Sequence, residues 1–244
     1  SVRAVCAGGV SANNLDAINT IDYINVMSGG DATDFGDLVS ARRFADGASC
    51  NGTIGIFAGG RASGNTNTNQ IDQITVATTG NATDFGDMVT ARFGCTSFAD
   101  DTRGVIAGGY ASSGDTATEY ITYASAGNAT DFGDLTVGRY ELGSVSDATR
   151  GVVSGGQGNS GISNVLDYYT TQTTGNATDF GDLTEARKCS GMSQTTYGVF
   201  SSGTGSSYSN TMDYITVQTT ANATDFGDNT SAFGGVAACS GSAS

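Results

Sequence analysis

The feature that most constrains this chain is a phrase it repeats five times. "NATDFGDM" at residues 81–88 returns with small changes, and its phenylalanine recurs as Phe35, Phe85, Phe132, Phe180 and Phe226, at spacings of 50, 47, 48 and 46 residues. Self-similarity at a fixed period is settled before any local assignment, and a period near this size is that of a four-stranded propeller blade. Composition agrees: the 244 residues hold 37 Gly and no Pro, Trp or His, with many Ser, Thr, Asn and Asp, a mixture that suits strands and tight turns better than helices.

Each unit reads as four strands. After "DFGD" a polar link ends in Arg42, Arg92, Arg139 and Arg187, with Phe233 at that place in the last unit, and small and apolar residues such as "FADGASC" follow as a first strand. A second strand runs into paired glycines, as in "TIGIFAGG" and "TRGVIAGG"; its Val, Ile and Phe fit a buried position. A variable loop leads to a third strand, "IDQITVATT" or "MDYITVQTT", whose period of two marks one covered face. "GN" then reads as a tight turn and "ATDFGD" as the fourth strand.

The expected fold is therefore all-β, a single five-bladed β-propeller over residues 1–244. The units are 39–88, 89–135, 136–183 and 184–229, with 230–244 joined to 1–38 to make the fifth. The tail "SAFGGVAACSGSAS" supplies a first strand that the start of the chain lacks, so the ring is expected to close by the C-terminal strand pairing with the N-terminal blade.

This order of diglycine, third-strand aromatic (Tyr23, Tyr120, Tyr168, Tyr214; Gln73 is the exception) and fourth-strand aromatic resembles the kelch repeat, with Phe in place of its usual Trp. The wording "GNATDFGDLT", then "AR" or "GR", then "TRGV" before the glycines resembles kelch-like repeats of structural and tail-fibre-type proteins of tailed phages, especially those of cyanobacteria. That resemblance implies a virion or appendage component, found on a virion or outside the cell, with other structural subunits or further copies of itself as partners. It carries over no catalytic residue.

Charge and chemistry narrow the function. A net charge of −14 disfavours nucleic acid and anionic membranes, and no apolar run is long enough to insert in a bilayer. Without His, the Ser/His/Asp and Cys/His devices, His-ligated zinc, and the histidine-ligated copper of the best-known kelch enzyme are all excluded. Five cysteines at unequal offsets argue against a disulfide framework and read as buried free thiols.

Carboxylate pairs occur in every unit: Asp34 and Asp37, Asp84 and Asp87, Asp131 and Asp134, Asp179 and Asp182, Asp225 and Asp228. A catalytic glycosidase pair is a single feature of a chain, so fivefold copying argues for architecture, and no catalytic residue or obligatory cofactor is assigned. The same oxygens offer hard-cation ligands for calcium; the alternative is that they bond backbone amides at strand ends while Phe packs between blades. The recurrent Arg has two readings as well, an ion pair with an Asp of its own or the next blade, or a contact with ligand.

Asn81, Asn128, Asn176 and Asn222 open Asn-Ala-Thr sequons, glycan acceptors in a eukaryotic secretory setting and plain turn residues otherwise. The loops 10–20, 61–70, 110–117, 157–165 and 204–211 differ while the framework repeats, as in a scaffold that carries recognition. Cell-surface glycans are the ligand class considered for them, with Tyr110 and Tyr208 as the stacking aromatics. The expected role is a non-enzymatic structural protein, with a glycan-binding module as the alternative.

Overall fold

The computed structural model describes residues 2–11 and 16–234. It is all-β, with six antiparallel sheets of three or four strands among the described residues. The first repeat sheet contains β1 (Arg3–Ala7), β2 (Thr20–Asn25) and β3 (Thr33–Asp37); the second, β4 (Gly47–Cys50), β5 (Ile54–Ala58), β6 (Gln70–Thr75) and β7 (Thr83–Asp87). The third has β8 (Thr96–Ala99), β9 (Arg103–Ala107), β10 (Ala117–Thr122) and β11 (Thr130–Asp134). A small sheet of β12 (Arg139–Tyr140), β15 (Gln157–Gly158) and β16 (Gly161–Ile162) accompanies the fourth, which is β13 (Gly143–Ser146), β14 (Arg150–Ser154), β17 (Val165–Thr170) and β18 (Thr178–Asp182). The fifth is β19 (Lys188–Ser193), β20 (Tyr197–Thr204), β21 (Tyr208–Thr216) and β22 (Thr224–Phe233).

Within each repeat sheet the strands pair in chain order, as the sequence pattern requires. The first strands β4, β8, β13 and β19 pack against one another in succession. The "DFGD" strand forms the opposite edge, and its pairing slips by one residue at the same place in all five sheets: Ile71 faces Gly86 and Asp72 faces Asp84, leaving Phe85 unpaired. A bulge of this kind re-aims a side chain. Here the displaced ring enters the gap between sheets.

Four apolar cores result, each shared by two successive sheets. Phe180 and Leu183 of the fourth sheet meet Phe200, Ile215 and Val217 of the fifth, and Phe35, Phe85 and Phe132 make the corresponding contacts at the earlier junctions. These four rings are 2–3 % exposed. Burying a side chain of this size contributes about 1.5–3 kcal/mol.

Four expectations change. "GN" is not a hairpin turn: β6 ends at Thr75, the chain reverses at Val76–Thr78, and Gly80 and Asn81 lie in an extended link that docks on the preceding sheet. The loop 204–211 is largely strand, because β20 and β21 continue as a hairpin that carries Tyr208. In the tail, residues 230–233 belong to β22, where Phe233 pairs with Ser209 instead of starting a strand beside β1; residues 235–244 lie outside the described residues. Of the cysteines, Cys95 and Cys189 are buried, but Cys6 and Cys50 are exposed, all four as free thiols; Cys239 lies outside the described residues.

Candidate functional site

The residues that repeat are engaged in joining sheets. At every internal junction an Asn side chain accepts from the backbone of the previous motif: Asp37 N–H to Asn81 Oδ1, Asp87 to Asn128, Asp134 to Asn176 and Asp182 to Asn222, each at 3.1 Å. The next residue adds a backbone bond of 2.8 Å, from Ala82, Ala129, Ala177 and Ala223 to the carbonyls of the same aspartates. "NAT" and "DFGD" are thus the two halves of one joint, met between copies. The sequon asparagines serve that joint.

The recurrent arginines are a second fastening. The Arg42 backbone bonds to Gly9 and Ile18 of the first unit, while its guanidinium enters the second sheet to reach Phe57 O and Asp72. Gly60, Gly109 and Gly156 donate to the carbonyls of Arg92, Arg139 and Arg187 in the same way. Their ion pairs, Arg42–Asp72 at 3.1 Å, Arg92–Glu119 at 2.7 Å, Arg139–Asp167 at 2.5 Å and Arg187–Asp213 at 2.9 Å, are almost fully buried. The partner is the acid of the third strand, not one of the paired aspartates. Burial pushes the Asp72 carboxyl up and the Arg42 and Arg139 guanidinium groups down, which marks desolvation as the dominant electrostatic influence there.

The paired aspartates stay at or near the surface. Asp34, Asp84, Asp131, Asp179, Asp225, Asp134 and Asp228 are exposed, and Asp37, Asp87 and Asp182 are half-buried. Asp84 and Asp225 accept from the N–H of Gly86 and Gly227, and Asp134 accepts from Thr116 Oγ1. Among the described residues, no group of three acidic or thiol side chains is assembled that would hold a metal ion, so the calcium reading gains no built site.

The non-repeating chemistry lies one residue past each arginine. That residue pairs across a short bridge with the one that follows the second-strand glycines, giving Arg43–Arg61, Phe93–Tyr110, Tyr140–Gln157 and Lys188–Thr204. The backbone rung is common to the units and the side chains differ. Phe44, Phe93, Tyr110 and Tyr140 form one aromatic cluster, with ring centroids 5.6 Å (Phe44–Phe93), 5.4 Å (Phe93–Tyr110) and 5.0 Å (Tyr110–Tyr140) apart. Arg61 stacks on Phe93 at 4.1 Å, Arg43 lies 5.6 Å from Phe44, and Lys188 lies 5.9 Å from Tyr140 while pairing with Glu141 at 2.6 Å.

The chain has ten basic side chains. Four form the buried pairs, Arg3, Arg103 and Arg150 stack on third-strand tyrosines, and the remaining three, Arg43, Arg61 and Lys188, all gather at this cluster.

Backbone strain marks the same place. Phe44 has φ 56° and Glu141 φ 55°, in the left-handed region that the third unit fills with Gly94 at φ 64°. A bulky residue there costs about 1–2 kcal/mol, a cost that concentrates at sites held for a purpose. Phe44 nevertheless keeps 42 % of its surface exposed. Tyr110, singled out from the sequence, is in the cluster; Tyr208 is not. Tyr208 stands 65 % exposed in a separate groove with Ile162 and Asn210, where Ser209 donates to Glu185.

Arg43, Phe44, Arg61, Phe93, Tyr140 and Lys188 were not legible as site residues in the sequence. The available signal was a variable position directly after an otherwise regular Arg. Comparison with known proteins leaves this geometry to speak for itself: no protein-family model matches the chain, and no curated protein matches it.

Proposed function

We propose that the five repeat-built sheets are the kelch-like blades of one propeller, and that the protein is a non-enzymatic structural component of a virion, such as a tail fibre or appendage, or of an extracellular filament. The observation that carries this reading is the commitment of the repeated Asn, Arg and third-strand acids to joints between sheets. Residues copied in every unit hold the scaffold, and a stiff scaffold suits display and assembly with other subunits or further copies.

Closure of the ring belongs to the same proposal. The first sheet has three described strands where every other repeat sheet has four, and the vacant edge is that of β1. On this reading the C-terminal strand pairs with the N-terminal blade, which covers an edge that otherwise invites pairing with other chains. The phage likeness of the repeat wording supports location on a particle. Gold labelling of intact particles and filaments with an antibody to this chain tests the role: surface label at regular positions is expected, and confinement of the chain to the cell interior contradicts it.

A second reading, recognition of surface glycans, is favoured by one specific feature. Phe44, Tyr110 and Tyr140 present partly open rings beside three cations on the face that carries the variable loops. Ring faces of this kind suit the apolar faces of sugars, with polar groups alongside to set orientation.

A further inference from the structure

We infer that the Arg43–Arg61 rung is an anion anchor and that the site takes an acidic saccharide, its carboxylate or sulfate ester held by the two guanidinium groups and its ring laid on the adjoining aromatics. The inference rests on the glycan reading and adds the ligand's chemical class.

The rung is an unusual pairing. Arg43 N–H donates to Arg61 O at 2.9 Å and Arg61 N–H to Arg43 O at 2.7 Å, which places two like charges directly opposite each other. Such a pair is destabilising when nothing neutralises it. Neither arginine has a carboxylate within 4.0 Å among the described residues, whereas all four repeat arginines and Lys188 do. In a chain of net charge −14, acids are plentiful, so their absence at this rung is a local property of the site.

Neutral amides hold both groups in place. Arg43 Nη2 donates to Asn65 Oδ1, and Arg61 Nε donates to Asn67 Oδ1 at 3.2 Å. Asn67 is fixed in turn by bonds of 3.0 and 3.1 Å to the carbonyls of Tyr110 and Ala111. Orientation is thereby set without cancelling charge. Among the described residues, Arg43 Nε is buried with no acceptor, and the Arg61 guanidinium has no acceptor beyond the one its Nε uses. A planar carboxylate or a sulfate ester matches the guanidinium fork.

The surroundings permit an anion despite the overall charge. Of the two acids near the cluster, Glu141 is bound by Lys188, and Asp46, which feels the charge of Glu141, makes no ion pair with either arginine of the rung. More distant carboxylates act through solvent, where fields decay over about 8 Å at physiological ionic strength. The aromatic side of the cluster then supplies the contact that separates a saccharide from a bare ion.

The test is retention of the purified full chain in native gels cast with sodium polygalacturonate, with dextran sulfate or with neutral dextran, at low salt. Retention by an acidic polymer and not by dextran is expected; the two acidic gels separate carboxylate from sulfate ester. In R43Q/R61Q the affinity should fall about tenfold or more, since each lost charge-assisted bond is worth that order. Arg43→Lys, which keeps charge without the fork, should give a smaller loss.

Neither arginine holds a buried acid, so the melting temperature of these variants should stay near that of the parent. No retention by either acidic polymer, or retention unchanged in R43Q/R61Q, overturns the inference. Retention by neutral dextran alone overturns it while leaving the glycan reading standing, and retention by none of the three overturns both. Competition by inorganic sulfate as strong as by the polymer would also overturn the saccharide assignment.

Discussion

Phe180 and Phe226 occupy the same place in successive copies of one motif, yet Phe180 is 3 % exposed and Phe226 is 61 % exposed. The first sheet shows the reciprocal difference. Ile24 and Val26 are 44 % and 57 % exposed, while Ile74 and Val76, at the same register in the second sheet, are 5 % and 6 % exposed. Both contrasts have one cause: burial of these side chains comes from the neighbouring sheet, not from their own. The repeat is a set of halves that become a core only when joined.

The largest effects should come from breaking an internal joint. Arg139→Met leaves Asp167, fully buried, without its counter-charge and should lower stability by about 3–5 kcal/mol in urea unfolding. A loss near zero would mean that the fastening is ornamental. Phe180→Ala should cost about 3–5 kcal/mol. Phe226→Ala should cost a few tenths if its face stays open, and an amount like that of Phe180→Ala if the ring closes.

Glycines of the bulge sharpen the same contrast. A methyl group on Gly86 would sit 2.4 Å from the backbone of Gly127 in the next sheet, whereas one on Gly227 meets nothing within 4 Å among the described residues. Both have positive φ, 148° and 130°, so both substitutions pay for the backbone. With the end face open, Gly86→Ala should exceed Gly227→Ala by about 1–3 kcal/mol, the usual cost of overpacking, whereas a closed ring brings the two losses together. Equal losses would show that the end face is as crowded as an internal joint. A smaller step is expected for Asn128→Ala, which removes one bond to Asp87 and should cost about 1 kcal/mol.

The smallest effect concerns the start of β4. Asp46 is pushed up to about 6 by burial, with the nearby Glu141 adding to the rise. Its folded value lies above the unfolded one near 4, so the folded state holds the proton more tightly, and stability falls as pH rises from about 4 to 6. The Asp46 side chain is nevertheless an exposed one, so solvent screens the shift and only a small effect is expected. Melting curves of Asp46→Asn should lack this part of the decline; an identical decline in both proteins would remove Asp46 from it.

Much of the fold was legible because its signals are local. Strand order, the buried second strand and the inward Phe follow from alternation and spacing. The arginines were legible as ion-pair formers, but their partners were not, since Asp72 and Glu119 belong to a third-strand pattern that reads equally well as a solvent-facing position. The "GN" link was misread as a turn because Asn81 bonds to Asp37, 44 residues away, and composition cannot distinguish a turn from a docking link. The aromatic rungs were hidden for a related reason: Phe44, Phe93 and Tyr140 meet only after three units are stacked.

The chain contains no tryptophan, so Phe226→Trp places a single indole on the end face and Phe180→Trp places one in a matching internal joint. Fluorescence of the two proteins tests ring closure directly. If the ring closes as proposed, so that the first sheet covers the fifth as the fifth covers the fourth, both indoles should emit at short wavelength and resist acrylamide quenching. Red-shifted, freely quenched emission from Phe226→Trp beside a shielded Phe180→Trp would contradict a closed ring.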